Sequence, residues 1–143
     1  MNMLSNSDVF GVVITYNPDS SVVENISSLI KQVSYVLIID NGSNENSLKY
    51  LDDIKEKDKV GVLFNESNMG IAYALNQGLS EASIRKYKLI LTMDQDSNLN
   101  EDCVNKMVRV LNENSSLISV GPNYNGKTLK TDKDYYEKDY IKR

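Results

Sequence analysis

The chain has 143 residues, 41% apolar and 25% charged, the make-up of an ordinary globular protein with one hydrophobic core. Sixteen Lys and Arg against twenty Asp and Glu leave a net charge of −4 with no basic stripe, which argues against nucleic acid as a partner. Histidine is absent, excluding His-based metal sites, Ser-His-Asp triads and His general bases, and the single cysteine, Cys103, excludes an internal disulfide or a CxxC metal site and fits a reducing compartment.

Met1 to Asp8 lacks the cationic-then-apolar order of a secretory signal, and no apolar run approaches the ~20 residues that cross a bilayer. The expected location is the cytoplasm, with peripheral association at the inner face of the membrane left open. Five short apolar runs follow: Val9 to Thr15, Tyr35 to Ile39, Val60 to Phe64, Leu89 to Met93 and Leu117 to Val120. They are near-continuous rather than alternating, the pattern of parallel strands covered on both faces.

Four segments with helical spacing lie between and after these runs. The first carries Val22, Val23, Ile26, Leu29 and Ile30 on one stripe, with Ser21 and Glu24 spaced as a capping box. Leu48, Leu51 and Ile54 mark a weaker second helix. Ile71, Ala74, Leu75, Leu79 and Ala82 predict the third, and Val104, Met107, Val108 and Leu111 the fourth. Strand alternating with helix implies right-handed crossovers and an α/β fold with a mostly parallel sheet flanked by helices. After Pro122 the character changes: from Lys127 to Arg143, ten of seventeen residues are charged. Residues 1–124 are therefore expected to form one α/β domain, and residues 125–143 a charged tail or the start of a further region.

Ligands of such sheets bind beyond the carboxyl ends of the strands, and four of those ends are polar without a packing reason. Asp94-Gln95-Asp96 ends the fourth run, and two carboxylates so placed can aim at one Mg²⁺ or Mn²⁺ that keeps sites free for a diphosphate. A solvated turn explains the same residues. An EF-hand does not, because its glycine and closing glutamate positions hold Leu99 and Asn105. Asp40 precedes Asn41-Gly42, so its carboxylate either accepts from a pyrimidine N3 or a ribose hydroxyl, or forms the turn itself. Tyr16 has a ring to cover a base or to cap the sheet. Asn68-Met69-Gly70 opens the third helix, where free backbone amides suit a phosphate or sugar hydroxyls and Asn68 suits an N-cap. Gly78 interrupts that helix at a cost of about 1 kcal/mol relative to alanine, implying tight packing or a close contact there.

Val13-Ile14-Thr15-Tyr16-Asn17-Pro18, Ile39-Asp40-Asn41-Gly42-Ser43, Asn68-Met69-Gly70-Ile71-Ala72 with Ala74-Leu75-Asn76-Gln77-Gly78, and Met93-Asp94-Gln95-Asp96-Ser97 together resemble the family-2 inverting glycosyltransferases of GT-A fold, in particular the bacterial rhamnosyltransferase branch. The resemblance runs from Val9 to about Tyr124. It implies that Thr15 and Tyr16, with Asn17 beside them, lie at the nucleotide base, that Asp40 binds base or ribose, and that Asn68 to Gly70 lie near the donor. It further implies that Asp94 and Asp96 form the metal-binding pair, with Asp94 also near the donor and Asp96 the direct ligand. A rhamnosyltransferase would take a thymidine-diphosphate sugar, dTDP-rhamnose, and pass it to a saccharide or lipid-linked saccharide during synthesis of a bacterial surface polysaccharide. Family members continue well beyond this length, and their later part supplies the acceptor surface and the carboxylate general base. Asp132, Asp134, Glu137 and Asp139 match no family motif, which leaves the catalytic base unassigned.

The leading expectation is the donor-binding part of such an enzyme, and the alternative is a non-catalytic module that binds the nucleotide sugar or another partner and transfers nothing. Other α/β readings lack their motifs: a receiver domain would need acids where Thr15 and Asn65 stand, a dinucleotide fold would need GxGxxG where Tyr16-Asn17-Pro18 stands, and neither a P-loop nor the glycine-rich signature of nucleotidyltransferases occurs. Thr15, Asp40, Asn68 and Asp96 are expected to meet at one edge of the sheet in a single pocket.

Overall fold

The computed structural model describes residues 3–122, so the expected tail at 125–143 lies outside the described residues. The elements in chain order are a 3-10 turn Asn6–Asp8, β1 Val9–Thr15, α1 Ser21–Ile30, β2 Tyr35–Asp40, α2 Glu45–Lys55, β3 Val60–Phe64, α3 Ile71–Ile84, β4 Leu89–Asp94 and α4 Cys103–Glu113. The strands form one all-parallel sheet in the order β3-β2-β1-β4. Residues Asn6–Glu101 make one compact unit holding the sheet and α1 to α3, and the remaining residues group separately. In that second unit the backbone N–H of Leu4 donates to Asn112 Oδ1 and Asn112 Nδ2 donates back to the Leu4 carbonyl, both at 2.9 Å. No helix among the described residues is long and apolar enough to cross a membrane.

Strand alternation sorts the core into two faces. Phe10, Val12, Leu37 and Ile39 cluster with Ala74 and Ala82 of α3 on one face. Gly11 lies against Leu29 of α1 and Val36 on the other. The central strands β1 and β2 are buried almost throughout, as their continuous apolar runs require. The edge strands β3 and β4 are only partly covered, with Phe64 and Ile90 exposed, contrary to the expectation of two covered faces for every strand. An outer strand has a neighbour on one side only, and α1 and α3 pack chiefly on the inner pair, while α2 lies against α1 and β3.

Three local expectations are corrected. Ser21 is the first residue of α1 rather than its cap, and no capping box forms. Its backbone N–H and hydroxyl instead donate to Asp19 Oδ1 at 2.8 and 2.5 Å, and the hydroxyl, then the amide, holds the Asp19 carboxyl below its usual range. The run Leu117–Val120 forms no strand beyond an isolated bridge at Leu117, because Ile118 is exposed and no buried face fixes a register. In α3 the buried stripe is Ala74, Gly78 and Ala82, while Ile71 and Leu79 face outward. Small residues at i, i+4 and i+8 bring the helix backbone down onto the sheet, and larger side chains are displaced to its flanks.

Gly78 shows why that stripe is small: a Cβ there would lie 2.6 Å from Val12 Cγ1. Close contact with β1 thus offsets the helix-interior cost of glycine. Gly78→Ala gains about 1 kcal/mol of helix propensity but overpacks the interface by about 1–3 kcal/mol, so urea titration should show no stabilisation and a net loss of up to ~2 kcal/mol. Combining it with Val12→Ala should give a total smaller than the sum of the single losses, because the contact is shared.

Candidate functional site

The strand order reverses beside β1: β2 lies on one side and β4, reached through α3, on the other. A topological switch point of this kind leaves a crevice at the carboxyl edge. Register brings the ends level, Thr15 opposite Asp40, Asp40 opposite Phe64 and Ile14 opposite Asp94. An open cleft of roughly 240 Å³ lies there. Its apolar wall is Ile14, Tyr16 and Ile71, and its polar groups are Asn41, Asn68, Asp94 and Gln95.

Thr15 and Asp40 share this edge but sit beneath it. Both are essentially inaccessible, at 0% and 1% exposure. Alternation points them to the α1 side of the sheet, whereas Ile14 and Asn41 fall on the α3 side where the cleft opens. The Asp40 carboxylate takes three donors: Thr15 Oγ1 at 2.9 Å and Ser43 Oγ at 2.5 Å on Oδ2, and the Ser43 backbone N–H at 2.9 Å on Oδ1. A buried carboxylate without a cation needs such donors. Ser43 Oγ also accepts from the backbone N–H of Asn17 at 2.8 Å, and Asn17 Oδ1 accepts from both nitrogens of Asn44. Asn17 therefore ties the β1 loop to the start of α2, where Asn44 caps the helix by accepting from the Ser47 backbone N–H.

A second network, built from carboxamides, holds the loop before α3. Asn41 Oδ1 accepts from Met69 N–H and Asn65 Nδ2, and Asn41 Nδ2 donates to Asn68 Oδ1 at 3.0 Å. Asn65 and Gln77 exchange two amide hydrogen bonds of 2.9 Å. Gly42, at φ +85°, lets the β2 loop lie against this one: a Cβ there would sit 2.5 Å from the Ser67 carbonyl carbon. Gly70, not Asn68, caps α3, at φ 84° and ψ 158°, a conformation essentially reserved for glycine. Nothing lies within 4 Å of its missing Cβ, and no side chain caps the helix start.

Asp94 and Asp96 are exposed, and their carboxylates carry no hydrogen bond or ion pair among the described residues. Uncommitted hard oxygen donors of this kind fit a hard divalent cation. No third His, Cys, Asp or Glu joins them among the described residues, so most of a cation's coordination sphere would be left to ligand and water. Asp94 lines the cleft and Asp96 does not. The expected single pocket thus divides: Tyr16, Asn68 and Asp94 line one cleft, Thr15, Asn17 and Asp40 support it from below and beside, Gly70 adjoins it at the α3 start, and Asp96 lies on the loop beyond Asp94. Asn41, Gln95, Ile14 and Ile71 are cleft residues that strand-end polarity or the helical stripe did not assign.

The chain matches the family model described as Glycosyl transferase family 2 over residues 12–141. It is 30% identical over 136 residues to the dTDP-rhamnosyl transferase RfbF of Shigella flexneri, covering 92% of this chain and 42% of that protein. It is 29% identical over 112 residues to a poly-beta-1,6-N-acetyl-D-glucosamine synthase of Staphylococcus epidermidis, covering 76% of this chain and 26% of that one. Among solved structures, the mannosyltransferase PcManGT from Pyrobaculum calidifontis, in complex with GDP-Man and Mn²⁺, superposes with a TM-score of 0.66 at 18% identity, over 77% of this chain and 33% of its own. TarS 1-349 of S. aureus superposes with a TM-score of 0.58 at 22% identity, over 73% and 32%. The chain spans less than half the length of these relatives, and its sheet and flanking helices have the GT-A glycosyltransferase fold. It belongs to glycosyl transferase family 2.

Proposed function

We propose that this chain is the donor-binding part of an inverting glycosyltransferase that takes a nucleoside-diphosphate sugar with Mg²⁺ or Mn²⁺ and serves bacterial surface polysaccharide synthesis. The observation that carries the reading is the cleft at the switch point, where Tyr16, Asn68 and Asp94 meet from three separate strand ends. Its volume is smaller than the roughly 300–1,000 Å³ usual for a small-molecule pocket, which suits part of a donor rather than the whole. The dTDP-rhamnosyl relative makes a thymidine-diphosphate sugar the first donor to try.

Tyr16 covers the base with its ring. Asp40, sealed on the α1 side, acts on the base side of the donor indirectly, by holding Thr15 and Ser43 and, through Ser43, Asn17 in place. The amino end of α3, opened by Gly70, directs backbone N–H groups toward a phosphate or a sugar hydroxyl. Asp94 and Asp96 would hold the divalent ion, Asp96 by direct ligation. When bound, that ion neutralises charge on the departing nucleoside diphosphate. The acceptor of this reading is a saccharide or lipid-linked saccharide.

Calorimetric titration of the chain with thymidine and uridine diphosphate, with and without Mn²⁺, should show metal-dependent binding. Asp96→Asn should weaken the Mn²⁺-dependent component at least tenfold and leave the melting temperature nearly unchanged, since that carboxylate has no internal partner. A folded wild type that binds neither nucleotide in Mn²⁺ would defeat the proposal.

Asp40→Asn behaves differently because it disturbs a buried donor set. Losing the charged acceptor should cost about 1–3 kcal/mol of stability, read by urea titration, as well as nucleotide affinity.

A further inference from the structure

The loop that carries the two exposed carboxylates is fixed through the residue between them. Gln95 Oε1 accepts from the Tyr16 backbone N–H at 2.8 Å, and Gln95 Nε2 donates to the Tyr16 carbonyl at 3.3 Å. One side chain therefore occupies both main-chain groups of Tyr16, spanning the gap between the ends of β1 and β4 as a rung of sheet would. The backbone of Gln95 is held from the opposite side: its carbonyl accepts from Nδ2 of the buried Asn25 in α1 at 3.0 Å, and Asn25 Oδ1 in turn accepts from Asn98 Nδ2. Two further bonds close the loop, Ser97 N–H to the Asp94 carbonyl at 3.1 Å and Leu99 N–H to Ser28 Oγ at 2.9 Å.

The loop is thus anchored on α1, and the Gln95 side chain links it across the crevice to the backbone of Tyr16, a residue that lines the cleft. Tyr16 cannot shift its main chain without pulling Gln95, and Gln95 cannot shift without turning the peptide units that aim Asp94 and Asp96. We propose that Gln95 is a positioning residue that couples the base side of the donor site to its metal side, so that nucleotide and divalent ion each tighten the binding of the other through the protein as well as through direct contact. The inference rests on the donor-site reading above and adds to it a specific carrier of the coupling. Reciprocity is required: whatever factor Mn²⁺ contributes to nucleotide affinity, the nucleotide contributes to Mn²⁺ affinity.

The test compares wild type with Gln95→Met, which keeps the length and loses both hydrogen bonds, and with Gln95→Ala. For each, calorimetry gives the dissociation constant of thymidine or uridine diphosphate, whichever binds the wild type, with and without Mn²⁺. Amide hydrogen exchange at the Tyr16 N–H is measured without ligand. Both variants should exchange the Tyr16 amide faster, and the Mn²⁺ enhancement of nucleotide binding should fall at least fivefold. Loss of affinity in equal proportion with and without metal would indicate general loosening and overturn the proposal. Unchanged enhancement despite faster exchange would overturn it too, and unchanged exchange would show that the bridge does not hold Tyr16. Should the wild type bind no nucleotide, the donor-site reading falls and the coupling with it, and the exchange result still reports on the bridge separately.

Discussion

The carboxyl edge of this sheet is organised around one buried charge. Asp40 ends β2, one of the two buried central strands, and with no cation beside it among the described residues its carboxylate is satisfied by hydroxyl and amide donors brought to it by the neighbouring strand and by its own turn. Burial makes that requirement strict, because a carboxylate left without hydrogen-bond donors in such a place is costly. Meeting it fixes where β1 stops relative to β2, places Ser43, and through Ser43 sets the position of Asn17 and the start of α2. The exposed residues of the cleft rest on this arrangement even though Asp40 is not among them.

On the other face the controlling constraint is steric. Ala74, Gly78 and Ala82 let α3 settle onto β1 and β2, and that approach brings its first turn to the crevice beside Asn68. Two structural themes therefore meet at the edge: polar satisfaction on the α1 side, which is rigid because it is buried, and close packing on the α3 side, which delivers a helix start where Asn68 Oδ1 accepts from the Gly70 N–H. The carboxamides of Asn41, Asn65 and Gln77 join the two by linking β2, β3 and α3.

Much of this was legible in the residues. Continuous apolar runs marked β1 to β4, Gly78 announced a close contact, and Asp94-Gln95-Asp96 at the end of an apolar run identified the rim. What stayed hidden depended on which way a strand's alternation phases against its neighbours. Thr15 and Ile14 are adjacent, yet one is sealed beneath the edge and the other lines the cleft, and a list of strand-end residues does not separate them. Periodicity likewise placed Ile71 and Leu79 on the buried stripe of α3, because it registers apolar spacing and not the small size that decides which side of a helix can touch a sheet. Leu117–Val120 had a strand's composition but lacked a covered face to hold it in register. The bridge from Gln95 to Tyr16 is not legible in the residues, because an uncharged amide pairing with backbone leaves no signature beyond its place between two acids.

The carboxamide cluster also bears on how the molecule ages. Asn41 is followed by Gly42, the pairing in which a following backbone nitrogen most readily attacks the side-chain carbonyl, expelling ammonia and closing a succinimide that water opens to isoaspartate or aspartate. Here that carbonyl oxygen is occupied by Met69 and Asn65, its nitrogen is committed to Asn68, and Asn41 is buried. The folded state thereby restrains the ring closure that an unfolded chain would permit. Chemical damage at this point is coupled to unfolding, and a converted residue would set a carboxylate against the Asn68 oxygen, opposing refolding of the same edge.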